Sequence, residues 1–165
     1  MTEMTLVDAP PRRTAVVRGQ VRPQDLPTFL AQAFETVSAT VDRQRNHVTG
    51  PPVTVYRTVS GEKFDVEAGF PVAHEIAPDG AVIPSELPGS RTVETVHVGP
   101  YETLPDTYQQ IHAWLGEHGL RAAPLMWEAY LTDPDDPAHR HEAGPCTLVV
   151  QPVQPAPLSS RGLGT

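Results

Sequence analysis

Among 165 residues there is a single cysteine, Cys146. An intrachain disulfide is therefore impossible, which fits a reducing compartment. Basic residues are few: 12 Lys and Arg stand against 20 Asp and Glu, for a formal net charge of -8. Such a chain lacks the basic surface that phosphates require, so direct nucleic-acid binding is not expected. An acidic surface fits a cationic ligand, or solubility alone. No apolar run approaches the length of a membrane span. The stretch from Met1 to Arg13 lacks the basic, apolar and cleavage regions of a signal peptide. These absences together predict a cytoplasmic protein without membrane contact. There is no Gly-rich phosphate loop, nucleophile elbow or dinucleotide fingerprint, and the sequence calls for no cofactor. Apolar residues make up 39%, a low share, but a chain this long still buries a core without disulfide or metal.

Proline is the one surplus, at 19 residues, gathered in loops and at the two ends. Between the prolines the pattern is regular. Residues 1–13 read as a flexible lead-in or the edge of a strand. Thr14 to Val21 is β-rich, and a helix opens near Arg22-Pro23-Gln24-Asp25. Leu26, Phe29, Leu30, Ala33, Phe34, Val37 and Val41 give it an apolar stripe. Val53 to Val59 and Phe64 to Val72 form a hairpin across the turn at Ser60 to Lys63. The pattern then recurs. Arg91 to Val98 is a strand, and Thr103 with Asp106 resembles a capping box opening a helix over Leu104, Tyr108, Ile111 and Leu115. Gly119 stops that helix. Leu125 to Leu131 and Cys146 to Val150 are strands. From Pro152 the composition predicts disorder, so residues 154–165 read as a tail. The Pro- and Gly-rich stretch 78–90 reads as a linker between halves or as a lid.

The order is β-α-β-β twice, with Gly19, Pro51 and Tyr56 matching Gly99, Pro124 and Tyr130. This weak repeat predicts one α+β domain over residues 14–153, with pseudo-twofold symmetry, an antiparallel sheet packed on two helices and a central cleft. Small molecules bind at such junctions.

Strand alternation sets Met126, Glu128 and Tyr130 on one face, and Trp127 on the other. If the first face is a pocket wall, desolvation raises the Glu128 carboxyl into the range of a proton carrier; ionised, it attracts a cation. If that face is solvated, Glu128 is ordinary. Tyr130 can offer its hydroxyl to a ligand, or be a half-buried strand residue. Trp127 either stacks on a planar ligand or fills the core behind the sheet. Tyr56, the counterpart of Tyr130, is expected across the cleft. Tyr101 edges a pocket or packs on the surface. Phe64 and Phe70 can wall or cap the cleft. Glu67 is either a second carboxylate beside Glu128 or part of a solvated hairpin face. His139, His141 and Glu142 lie in a Pro/Asp-rich loop without metal spacing, and no metal is expected. His97 and His112 read as structural.

The run His97-Val98-Gly99-Pro100-Tyr101-Glu102-Thr103-Leu104, followed by a helix with Trp114 and Gly119 and by Pro124-Leu125-Met126-Trp127-Glu128-Ala129-Tyr130, resembles the GyrI-like small-molecule-binding family, the effector-binding domain of bacterial transcription activators. Phe64 to Val72 resembles the family's acidic mid-domain strand. The resemblance covers about Thr14 to Val153. It implies a tandem β-α-β-β fold with a central ligand pocket, in which Glu128 matches a glutamate that faces cationic drugs among aromatic residues. It also implies a stand-alone member, since little chain precedes Thr14.

Two functions follow. One is sequestration of, or resistance to, a drug or toxin: a lipophilic, aromatic or cationic molecule bound around Glu128 by Tyr56, Phe64, Glu67, Phe70, Tyr101, Met126 and Trp127. The other is what a resemblance of Trp127-Glu128-Ala129-Tyr130 to one branch of the family implies: a cofactor-free hydrolase, with Glu128 and Tyr130 catalytic, adding water to a strained cyclopropane of a DNA-alkylating natural product. The partner is in either case a small molecule. The oligomeric state is not readable from the sequence.

Overall fold

A computed structural model describes residues 3–60, 63–131 and 145–155; the side chains of 58–60, 101 and 155 fall outside that description. The strands are β1 (Thr5–Ala9), β2 (Arg12–Val21), β3 (Val53–Ser60), β4 (Lys63–Pro71), β5 (Val82–Leu87), β6 (Ser90–Val98), β7 (Leu120–Ala122), β8 (Met126–Tyr130) and β9 (Cys146–Pro155). The helices are α1 (Leu26–Arg43) and α2 (Leu104–Glu117). All sheet pairings are antiparallel, in the order β1-β6-β9-β8-β3-β4-β2-β5, with β7 beside β9. The order reads alike from either edge: β5-β2-β4-β3 in one half answers β1-β6-β9-β8 in the other. The halves join where β3 pairs β8, and this is the α+β pseudo-twofold that the repeat predicts.

Each helix follows its apolar stripe. Pro27 stands in the first turn of α1, where the missing N–H is not needed, and Arg43 in its last turn. Val37 and Val41 bury against Ala15, Val72, Ile76 and Val82. Gly19 lets α1 lie close on β2, since a Cβ there would meet the Phe29 ring at 2.7 Å. Ile111 and Leu115 of α2 bury against Val93 and Val149. Each fully buried Val, Leu or Ile contributes about 1.5–3 kcal/mol. Gly119, at φ 68, ends α2. The Thr103 hydroxyl does not cap α2 as expected; it donates to the Pro100 carbonyl and lies 3.0 Å from His97 Nε2.

The opposite face of the sheet carries a third cluster of Val53, Val55, Leu87, Trp127, Ala129 and Val150. Leu87 lies on an edge strand and Trp127 near the centre. Their common cluster requires the sheet to curl over its helix-free face into a half-barrel.

Four segments differ from the sequence reading. Residues 78–90 are neither a plain linker nor a lid: β5 lies within them, paired with β2. The stretch 1–13, read as a flexible lead-in or the edge of a strand, holds a whole edge strand, β1, paired with β6. Strand β9 continues past Val150 and Pro152 to Pro155, because β7 takes up its outer residues. The strand β7 itself has too few residues to show a period. Among the described residues no helix is long and apolar enough to cross a membrane.

Candidate functional site

The junction of β3 and β8 builds the site. Thr54 pairs with Glu128, and Tyr56 with Met126. With Tyr130, these residues face the helices. If Tyr56 is the counterpart of Tyr130, then Thr54 is the counterpart of Glu128, so the two cross-strand partners sit at the pseudo-twofold and both tyrosines converge on the carboxylate. Over this floor α1 and α2 stand apart, leaving a cavity of about 1450 Å³. Leu30 and Phe34 of α1, Leu104 and Tyr108 of α2, and Phe64 and Phe70 of β4 wall it. The aromatic rings support one another edge-on. Phe34 stands 5.8 Å from Phe70 and 6.0 Å from Tyr130, and Tyr56 stands 5.8 Å from Phe64.

Glu128 is 3% exposed. Tyr130 Oη donates to its Oε1 at 2.9 Å, and Tyr56 Oη approaches the same oxygen at 3.5 Å. The phenol of Tyr130 has one proton, so with that proton on the carboxylate the Thr54 hydroxyl, 2.9 Å away, donates to Tyr130. Among the described residues Glu128 has no ion-pair partner. Burial pushes its carboxyl from 4.5 to about 7; the hydrogen bonds from Tyr130 and Tyr56 pull back but do not win. Burial, then the nearby Glu128 charge, raises both tyrosines well above 10.0, so both stay protonated donors.

Of the residues expected at the site, Tyr56, Phe64, Phe70, Met126, Glu128 and Tyr130 line the cavity. Trp127 does not. It is 7% exposed within the cluster behind the sheet, because β8 continues its alternation without a bulge. Glu67 does not either. It shares its face with Val55, its partner on β3, and is 1% exposed. There it accepts bonds from Arg18, Arg57 and Ser85, so it is neither a solvated hairpin residue nor a second carboxylate beside Glu128. Burial pushes the Glu67 carboxyl up, but bonds from Ser85, Arg57 and Arg18 outweigh that and hold it below 4.5. The Tyr101 side chain, and His139, His141 and Glu142, lie outside the described residues. His97 is structural as expected, its Nδ1 2.7 Å from Thr107 Oγ1. His112 lines the cavity instead. No group of three or more metal-ligating side chains occurs among the described residues.

The sequence reading missed Arg57, Tyr108, Phe34 and Gln151 as lining residues. Phe34 and Tyr108 lie on the apolar stripes, where a pocket-facing ring looks like a core ring. Gln151 donates to the Leu125 carbonyl at 3.0 Å, tying β9 to the start of β8. Arg57 directly follows Tyr56, but only a strand irregularity aims it at the cavity.

Residues 2–144 match the family described as the GyrI-like small molecule binding domain. Among solved structures, the chain is similar to EcmrR in its complex with DNA, at 20% identity and TM-score 0.79, covering 94% of this chain and 58% of that one. It thus spans little more than half of that protein. The EcmrR C-terminal domain alone matches at 18% identity and TM-score 0.77, with 94% of this chain and 98% of that domain covered. SAV2435 bound to tetraphenylphosphonium matches at 12% identity and TM-score 0.66, with 99% of both chains covered. A hydrolase from Listeria innocua matches at 15% identity and TM-score 0.62, with 92% of both covered. These identities speak for the fold. No curated protein matches the chain.

Proposed function

We propose, from the premise that the chain belongs to the GyrI-like small molecule binding domain family, that its cavity takes a lipophilic ligand whose cationic or hydrogen-bond-donating group docks on Glu128. The observation that carries this reading is a buried carboxyl, without an ion-pair partner among the described residues, at the floor of an aromatic cavity. A carboxylate so placed is strongly disfavoured until a positive group arrives. Apolar walls supply the burial term for the rest of the ligand. The tyrosines hold the carboxylate in place and keep it from being shared with water. The biological role we assign is sequestration of a drug or toxin in the cytoplasm. Binding of tetraphenylphosphonium to SAV2435, a protein of like fold, supports the ligand class. Equilibrium binding of tetraphenylphosphonium at pH 8 to the wild type and to Glu128→Gln tests it. A loss of at least tenfold in the variant is expected; equal affinities would remove the electrostatic role.

A second reading rests on a different feature of the same residue. A carboxyl held near 7, beside a protonated tyrosine in a largely apolar cavity, is suited to general acid–base work. Glu128 would protonate one carbon as the cyclopropane C–C bond breaks, water would add to the other carbon, and the proton that water sheds would return to the Glu128 carboxylate, which Tyr130 orients. Mass spectrometry of a cyclopropane-bearing alkylator incubated with protein decides between the two. A water-added product formed faster than in buffer, and abolished in Glu128→Gln, favours the hydrolase; unchanged bound ligand favours sequestration.

A further inference from the structure

Arg57 occupies an irregular position. The register between β3 and β4 passes from Tyr56↔Val66 to Thr58↔Asp65, so Arg57 is an extra residue with no partner on β4. Bulges of this kind re-aim a side chain and cluster beside functional sites. Strict alternation would turn Arg57 to the face of Val55, away from the cavity. Its guanidinium does reach Glu67 on that face, with Nε 2.9 Å from Oε2, yet the side chain also lines the cavity. The side chain is 35% exposed, and its two terminal nitrogens make no hydrogen bond among the described residues. Charge is also left over. The single carboxylate of Glu67 serves Arg18, through Nε and Nη2, as well as Arg57. With Glu67 ionised, the cluster keeps one net positive charge beside the cavity.

The geometry points to Arg57 as a second ligand pole, whose free terminal nitrogens bind a carboxylate or similar oxyanion on the same molecule that presents its cationic or donor group to Glu128. This rests on the binding reading above and narrows its ligand class from lipophilic cations to lipophilic zwitterions. A guanidinium whose Nε is already fixed on a carboxylate is pre-oriented. It loses little freedom when it binds, and its fork matches a planar oxyanion. The opposite charges at Glu128 and Arg57 also set the ligand's direction in an otherwise apolar space.

Rhodamine B and its ethyl ester form a matched probe pair, a zwitterion and a cation on one aromatic frame. Their binding is read by fluorescence anisotropy in the wild type, Arg57→Gln, Arg57→Lys and Glu128→Gln. The wild type should bind the acid about fivefold more tightly than the ester, less than a buried charge-assisted bond gives because the group is part-exposed. That preference should vanish in Arg57→Gln and return in part in Arg57→Lys. It should also shrink in the wild type as sodium chloride rises, a readout independent of any variant's folding. Glu128→Gln should weaken both dyes. An ester bound as tightly as the acid by the wild type, or an acid preference intact in Arg57→Gln, overturns the role of Arg57 while leaving the Glu128 reading in place. If neither dye binds the wild type, both readings fall.

Discussion

Glu67 and Glu128 lie on adjoining stretches of one sheet and are almost equally buried, at 1% and 3% exposed. Their surroundings differ. Glu67 faces two guanidiniums and the Ser85 hydroxyl; Glu128 faces two phenols and an apolar cavity. The first carboxyl is held below 4.5, the second pushed up to about 7. Burial alone therefore does not decide what a carboxyl is for. A buried carboxylate with its cations built in is a structural member, and one without them is a site waiting for a cation.

The comparison breaks most visibly in stability. Replacing Glu67 by Gln leaves Arg18 and Arg57 facing each other and should cost about 1–2 kcal/mol at pH 7, measured by urea unfolding, because both guanidiniums are part-exposed and water screens them. Replacing Glu128 by Gln should do the opposite. Holding a carboxyl at about 7 rather than 4.5 costs the folded state about 3 kcal/mol at alkaline pH, so Glu128→Gln should be more stable by about 2–3 kcal/mol at pH 8 and unchanged at pH 4. The two pH slopes are opposed. The Glu67 contribution is full above 4.5 and is lost as pH falls through its depressed folded value. Glu128 keeps its proton when folded but loses it when unfolded, so its contribution declines as pH rises from 4.5 to about 7, then levels. A smaller effect separates the two phenols. Tyr130→Phe should push the Glu128 carboxyl clearly above about 7, followed by carbon NMR, because its bond is 2.9 Å long; Tyr56→Phe, at 3.5 Å, should move it less.

The central strand of the site was legible in the sequence because alternation needs only local residues. A glutamate between Met126 and Tyr130 on one face of an apolar strand is conspicuous, and the repeat pointed to Tyr56 as its partner across the junction. Glu67 was not legible in the same way. Its partners Arg18 and Ser85 lie 49 and 18 residues away, and only the sheet order brings them together. Arg57 was hidden for a related reason: an extra residue in a strand shifts the register without any mark in composition. Strand β5 was obscured by Pro84 and Ser85, which an edge strand tolerates and a pattern reading takes for loop. Trp127 was open to either reading because an aromatic strand residue suits a pocket as well as a core; unbroken alternation in β8 turned it from the cavity, into the cluster behind the sheet.

The most direct test of the account is the affinity for tetraphenylphosphonium from pH 5 to pH 9. If Glu128 is the cation site, wild-type affinity rises about tenfold per pH step below about 7, as the proton is displaced, and is level above it. Glu128→Gln is then weaker and flat throughout. A wild-type affinity that does not change with pH, or a variant that follows the same curve, would contradict the assignment of Glu128.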